Sequence, residues 1–116
     1  VPVLLDEYVI DAPTEFEAGQ VTLAVENDGT ENHQLTIVAT NSYEALPLRD
    51  NGSVVMEDLD AGAFTVSTDE LFAGFPAEPV TVDLEPGTYL FFCNLQSFIG
   101  DKSHVGLGQR LLVTVT

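Results

Sequence analysis

The residues best suited to holding a metal ion are scarce in this chain, and most of them sit close to one another. The stretch CNLQSFIGDKSHVGLGQ, residues 93–109, holds the chain's one cysteine, Cys93, and one of its two histidines, His104, and it ends on Gln109. The second histidine, His33, lies far upstream in ENHQLTIVAT. A thiolate is a soft ligand, an imidazole serves several transition metals, and an amide oxygen is a harder donor. In a strand, alternate side chains face opposite sides. His33 shares parity with Leu35, Ile37 and Ala39, Cys93 with Tyr89 and Phe91, and Gln109 with Leu111, Val113 and Val115. His33, Cys93 and Gln109 are therefore expected at strand ends, on faces that should be buried. A buried polar group without a partner costs roughly 1–3 kcal/mol. One bound metal would satisfy all three. Taken singly, each has a plainer role: an inert buried thiol, a strand-edge histidine, a solvated loop histidine at 104 and an unremarkable amide.

The elements that must position these residues read as strands. QVTLAVEN places Val21, Leu23 and Val25 on one face and Thr22, Ala24 and Glu26 on the other. HQLTIVAT, AFTVS, PVTVDL, GTYLFFC and RLLVTVT alternate in the same way, and Val, Thr, Phe and Tyr favour strands. Turn residues fall between them in EAGQ, ENDGTEN, RDNGS and LEPGT. Seven or eight short strands at this spacing predict an all-β Greek-key sandwich or barrel. Residues 41–62 are the least regular part, read as a short helix or an extended excursion between strands.

Composition narrows the rest. The chain's 116 residues are expected to form one domain spanning 1–116, and 45% apolar residues can build its core. No apolar run reaches the roughly 18 residues of a transmembrane helix. The acidic start, VPVLLDEYVIDAP, does not resemble a signal peptide. One cysteine leaves no internal disulfide and no thiolate-rich zinc site. Nineteen acids against three bases give a formal charge of −16, spread from Asp6 to Asp101. Nucleic acid and anionic membranes are poor partners for such a surface. A cationic protein partner, or adaptation to salt, accounts for it.

Three segments together resemble the cupredoxin family. NDGTENHQLTIV is similar to the family's first-histidine segment, where Asn-x-Gly opens a turn and His begins the next strand. LEPGTYLFFC is similar to its Pro-Gly-Thr-Tyr strand leading to the copper-binding cysteine. EAGQVTLAVEN fits the strand upstream. The resemblance covers nearly the whole chain and is weakest over 41–75. It implies His33, Cys93 and His104 as ligands of one mononuclear type 1 copper, with Gln109 at the family's axial position. Gln34, beside the first histidine, would tie the two ligand segments together. Ten residues separate Cys93 from His104. That is longer than in plastocyanin- or azurin-like loops, but it resembles certain bacterial cupredoxin-like domains. Glutamine replaces the usual axial methionine, as in stellacyanin-like members.

The resemblance further implies a one-electron carrier rather than an enzyme, with one copper per chain cycling between Cu(I) and Cu(II). Multicopper oxidases need many histidines, a dinuclear centre needs two cysteines, and a Cys–His nucleophile would need an exposed thiol. Its partners would be redox proteins, cationic ones among them, docking near an exposed edge of His104. Phe98, Ile99, Val105 and Leu107 would form the patch, and Lys102 and Arg110 would make it less acidic. The protein would act as a monomer in an extracytoplasmic compartment, periplasmic or cell-surface, free or tethered through a removed N-terminal segment. The alternatives are a copper carrier or storage domain of the same fold, and a metal-free structural sandwich.

Overall fold

The computed structural model describes residues 1–75, 78–96 and 102–116. Among these residues nine strands form two sheets: β1 Pro2–Asp6, β2 Val9–Asp11, β3 Glu15–Phe16, β4 Gly19–Asn27, β5 Thr36–Ala39, β6 Phe64–Ser67, β7 Val80–Leu84, β8 Gly87–Phe92 and β9 Arg110–Val115. The first sheet runs β2-β1-β4-β7 and the second β3-β9-β8-β5-β6. Neighbours are antiparallel except β1 with β4 and β3 with β9. The expected all-β sandwich is therefore present. The described residues hold nine strands where seven or eight were anticipated, because three short N-terminal strands join the six segments read from the sequence. Among the described residues no helix is long and apolar enough to cross a membrane.

β4 shows how pattern becomes structure. Its Val21, Leu23 and Val25 are buried while Thr22, Ala24 and Glu26 are exposed. They meet Leu35, Ile37, Phe91, Val113 and Val115 of the facing layer, with Phe16 stacked on Phe91 at 6.2 Å between ring centres. Burying a side chain of this size contributes about 1.5–3 kcal/mol, so this interior is the main source of the fold's cohesion.

Alternation fails along β5 and β8, for a physical reason. Val38, Leu90 and Phe92, on the outer face of the second sheet, are as buried as the inner-face residues. Residues 40–63 fold back over them as an extended excursion with two short 3-10 turns, Tyr43–Ala45 and Met56–Asp58. Val54 and Val105 join them in a second apolar cluster, fringed by Tyr43, Leu46, Met56 and Leu59. Ala39, expected inward, is exposed at the end of β5 away from His33. The pairing of β5 with β6 slips register between Ile37 and Val38, and such a bulge re-aims the residues that follow it.

Candidate metal centre

The site lies at one end of the sandwich, where three loops converge. His33 precedes β5, and its backbone exchanges two hydrogen bonds with Leu71, at 3.0 and 2.7 Å. Cys93 follows β8, and its N–H donates to the carbonyl of Gln109 at 3.2 Å. His104 opens a tight turn into β9. Its N–H donates to Leu95 O at 2.8 Å, and its carbonyl accepts from Gln109 N at 3.0 Å. Cys93, His104 and Gln109 are thus tied to one another through the backbone before any side chain is considered.

The side chains of His33, Cys93 and His104 converge. One ligand atom from each lies within 4.8 Å of the others, and all three residues are buried. Cys93 Sγ is 3.3 Å from His104 Nδ1 and accepts a hydrogen bond from Gln34 N at 3.3 Å. That backbone N–H joins the His33 segment to Cys93, while Gln34 Nε2 donates to Thr68 O at 2.9 Å. The imidazoles of His33 and His104 lie 4.9 Å apart. Burial pushes the Cys93 thiol up to about 11, against the opposing pull of the Leu95 and Gln34 N–H groups. Burial likewise lowers His104, with Glu31 acting in the opposite sense.

Gln109 is fully buried. Its Nε2 donates to the carbonyls of Asp6 at 2.6 Å and Val9 at 3.1 Å. That arrangement fixes the amide's orientation and leaves Oε1 without a partner. Among the described residues, two buried side-chain N or O atoms lack any hydrogen-bond partner: Gln109 Oε1 and His33 Nδ1.

Both imidazoles are held from behind by carboxylates. His33 Nε2 is 3.3 Å from Glu7 Oε2, and His104 Nε2 is 3.3 Å from Glu31 Oε1. Glu7 Oε1 also accepts from Thr30 N at 2.6 Å, from Glu31 N at 2.8 Å and from the Thr30 hydroxyl. Burial alone would raise the Glu7 carboxyl. The Thr30 hydroxyl, the Thr30 and Glu31 N–H groups and His33 together outweigh it and hold the carboxyl down at about 2. The Tyr8 hydroxyl donates to Glu31 Oε2, and the Tyr8 ring covers His104 at 5.2 Å between ring centres. Asn27 shapes the connecting loop by donating to Glu31 O and Leu71 O while accepting from Gly29 N. Gly29 permits the close approach, since a Cβ there would fall 1.9 Å from Glu7 Oε2 and 2.9 Å from His33 Nε2.

The excursion secures the loop between Cys93 and His104. Asn94 Oδ1 accepts from Val54 N at 2.7 Å, and Ser103 N donates to Asn51 O at 2.9 Å.

Two sequence expectations need correction. His104 has no exposed edge: it is 1% exposed, because Tyr8 and Glu31 close over it. Val105 packs in the second apolar cluster, and of the described patch residues Leu107 is the exposed apolar one. Phe98 and Ile99 lie outside the described residues. Glu7, Tyr8 and Glu31 were missed. Glu31 carried a signal, since it shares parity with His33 two residues on. Nothing local marked Glu7 or Tyr8.

No protein-family model matches this chain, and no curated protein sequence matches it either. Solved structures do. Auracyanin from the photosynthetic bacterium Roseiflexus castenholzii superposes with a TM-score of 0.69 at 20% identity, covering 99% of this chain and 94% of that one. Auracyanin B gives 0.66 at 25%, over 100% and 87%. Auracyanin A from Chloroflexus aurantiacus gives 0.62 at 18%, over the whole of both chains. Azurin and rusticyanin structures share the architecture. The chain has the cupredoxin fold, and its His33–Cys93–His104 cluster is typical of a type 1 copper site.

Proposed function

We propose that this protein is a one-electron carrier with a single copper held by His33 Nδ1, Cys93 Sγ and His104 Nδ1, with Gln109 Oε1 as the axial donor. The carrying observation is that the two orphaned buried atoms, His33 Nδ1 and Gln109 Oε1, belong to residues of the ligand set named by the sequence. Each such atom costs roughly 1–3 kcal/mol if left unsatisfied, and coordination removes that cost. The donor set fits copper, because a trigonal His₂Cys group with a weak fourth ligand suits both of its oxidation states. Copper supplies the reversible one-electron couple. The chain's residues supply a buried, cross-braced cage that moves little when the charge changes. Auracyanin A, similar in structure, is described as a "blue" copper protein.

Burial of Cys93 and His104 at 0% and 1% exposure favours electron transfer over the copper-carrier alternative, since handing over a metal requires a ligand that an acceptor can reach. In this reading the chain acts as one 1–116 domain, a monomer and not an enzyme, in an extracytoplasmic compartment. Its redox partners, cationic ones included, dock near the covered His104. Visible spectroscopy of copper-loaded protein tests the centre. An intense thiolate-to-Cu(II) band at one copper per chain is expected. Cys93→Ser should lose the band while the β-sheet circular dichroism persists, and a band surviving in that variant would remove Cys93 from the site.

A further inference from the structure

Neither imidazole is free on its outer side. Glu7 and Glu31 each take one Nε2, at 3.3 Å in both cases. The pattern of donors favours the ionised form of both carboxyls. Glu7 Oε1 accepts from Thr30 N, the Thr30 hydroxyl and Glu31 N, while its Oε2 faces His33. Glu31 Oε2 accepts from the Tyr8 hydroxyl while its Oε1 faces His104. An ionised carboxylate can only accept, so it pairs with an imidazole nitrogen that carries the proton. Each then requires Nε2 of its histidine to be the protonated nitrogen, which leaves the Nδ1 lone pair directed inward. The two clamps are also joined, because Glu7 accepts the backbone N–H of Glu31.

We propose that Glu7 and Glu31 are positioning residues that lock both histidines in the Nδ1-ligand tautomer and that, as two fixed anions one imidazole away from the metal, hold its reduction potential down. This rests on the copper reading above. A copper(II) ion with one thiolate and two carboxylates nearby leaves the centre with one net negative charge, and reduction adds a second. In a buried site such repulsion is weakly screened, so the oxidised state is favoured. A carboxylate behind a ligating histidine fixes the ring and makes it more basic, and its loss typically weakens metal affinity 10–100-fold.

Two readouts test the proposal. In the metal-free protein, nitrogen NMR of the imidazoles should show both rings protonated at Nε2 and bare at Nδ1. In the copper-loaded protein, Glu31→Gln keeps an oxygen for His104 Nε2 and removes the charge. The thiolate band and the His104 tautomer should persist while the potential rises. Glu31→Ala removes both the oxygen and the charge, so His104 should populate both tautomers and copper affinity should fall by about 10–100-fold. A metal-free wild-type chain with either ring protonated at Nδ1 would overturn the lock. A Gln variant with an intact band and an unchanged potential would overturn the electrostatic role. Absence of the band in the wild type would instead sink the copper reading, and the claim on the potential with it. The tautomer measurement would still decide the lock.

Discussion

In the proposed copper reading, Cys93 and Gln109 are the residues on which metal loading and potential turn. The Cys93 thiol is pushed up to about 11 by its burial, whereas in an unfolded chain it titrates near about 8.5. Below about 8.5 both forms keep the proton. Between about 8.5 and 11 the unfolded chain has released it and the folded chain has not, so the unfolded state binds fewer protons and stability falls as pH rises. The metal-free protein should therefore lose roughly 1.4 kcal/mol per pH unit from this group across that window. Denaturant midpoints for wild type and Cys93→Ala, both metal-free, should converge as pH climbs from 8 to 11. Curves that stay parallel would show that the thiol is not held protonated by the fold. Gln109→Met carries two expectations. A soft sulfur in place of a hard amide oxygen favours Cu(I), so the potential should rise. The substitution also strips Asp6 O and Val9 O of the Nε2 donor they share, so a loss of roughly 1–3 kcal/mol should accompany it. Voltammetry on an intact blue variant checks the first and urea unfolding the second. An unchanged potential would take Gln109 out of the ligand set.

The strands were legible because period-two alternation reflects a face packed on one layer. That held for β4, β7 and β9, where one face is buried and the other is open. It also placed His33, Cys93 and Gln109 inward. What the pattern could not carry was the excursion over 40–63. Its apolar residues have no regular period, yet they cover the outer face of β5 and β8 and anchor the ligand loop. Glu7 and Tyr8 escaped for a related reason, since contacts spanning more than twenty residues of sequence leave no local trace. The excursion's grip on the site is testable through Asn94, whose side chain accepts from Val54 N and donates to Val54 O. Arg49 also donates to that carbonyl, so Asn94→Ala orphans only the buried N–H. The expected cost is roughly 1–3 kcal/mol, with a shifted thiolate band because Cys93 is the adjacent residue. Loss of stability with an unmoved band would mean the excursion supports the fold without tuning the centre.

At the scale of the whole molecule, the charge of −16 is the property the fold least requires. Little positive charge tempers it. Arg110 lies over the Tyr43 ring at 4.2 Å and donates to Val105 O at 2.7 Å, so it braces the ligand turn more than it presents a cation. Arg49 pairs with Glu57 at 3.2 Å on the open surface, where such pairs contribute little. Lys102 is the remaining base beside the centre, and it is exposed. A field of this size would steer a cationic redox protein, raising association from about 10⁵–10⁶ toward 10⁸–10⁹ M⁻¹s⁻¹ at low salt. At physiological ionic strength the screening length is roughly 8 Å, and most of that gain is lost. The same screening relieves repulsion among the acids, so stability should rise as salt is added. The two effects separate the two explanations of the charge. Stopped-flow reduction by a cationic redox protein, run beside a neutral small-molecule reductant, should slow steeply with salt for the protein and stay level for the small molecule. Unfolding midpoints over the same salt series give the second curve. A partner rate that is flat while stability climbs would assign the acidity to life in salt rather than to docking, and it would leave the His33–Cys93–His104 centre as it stands.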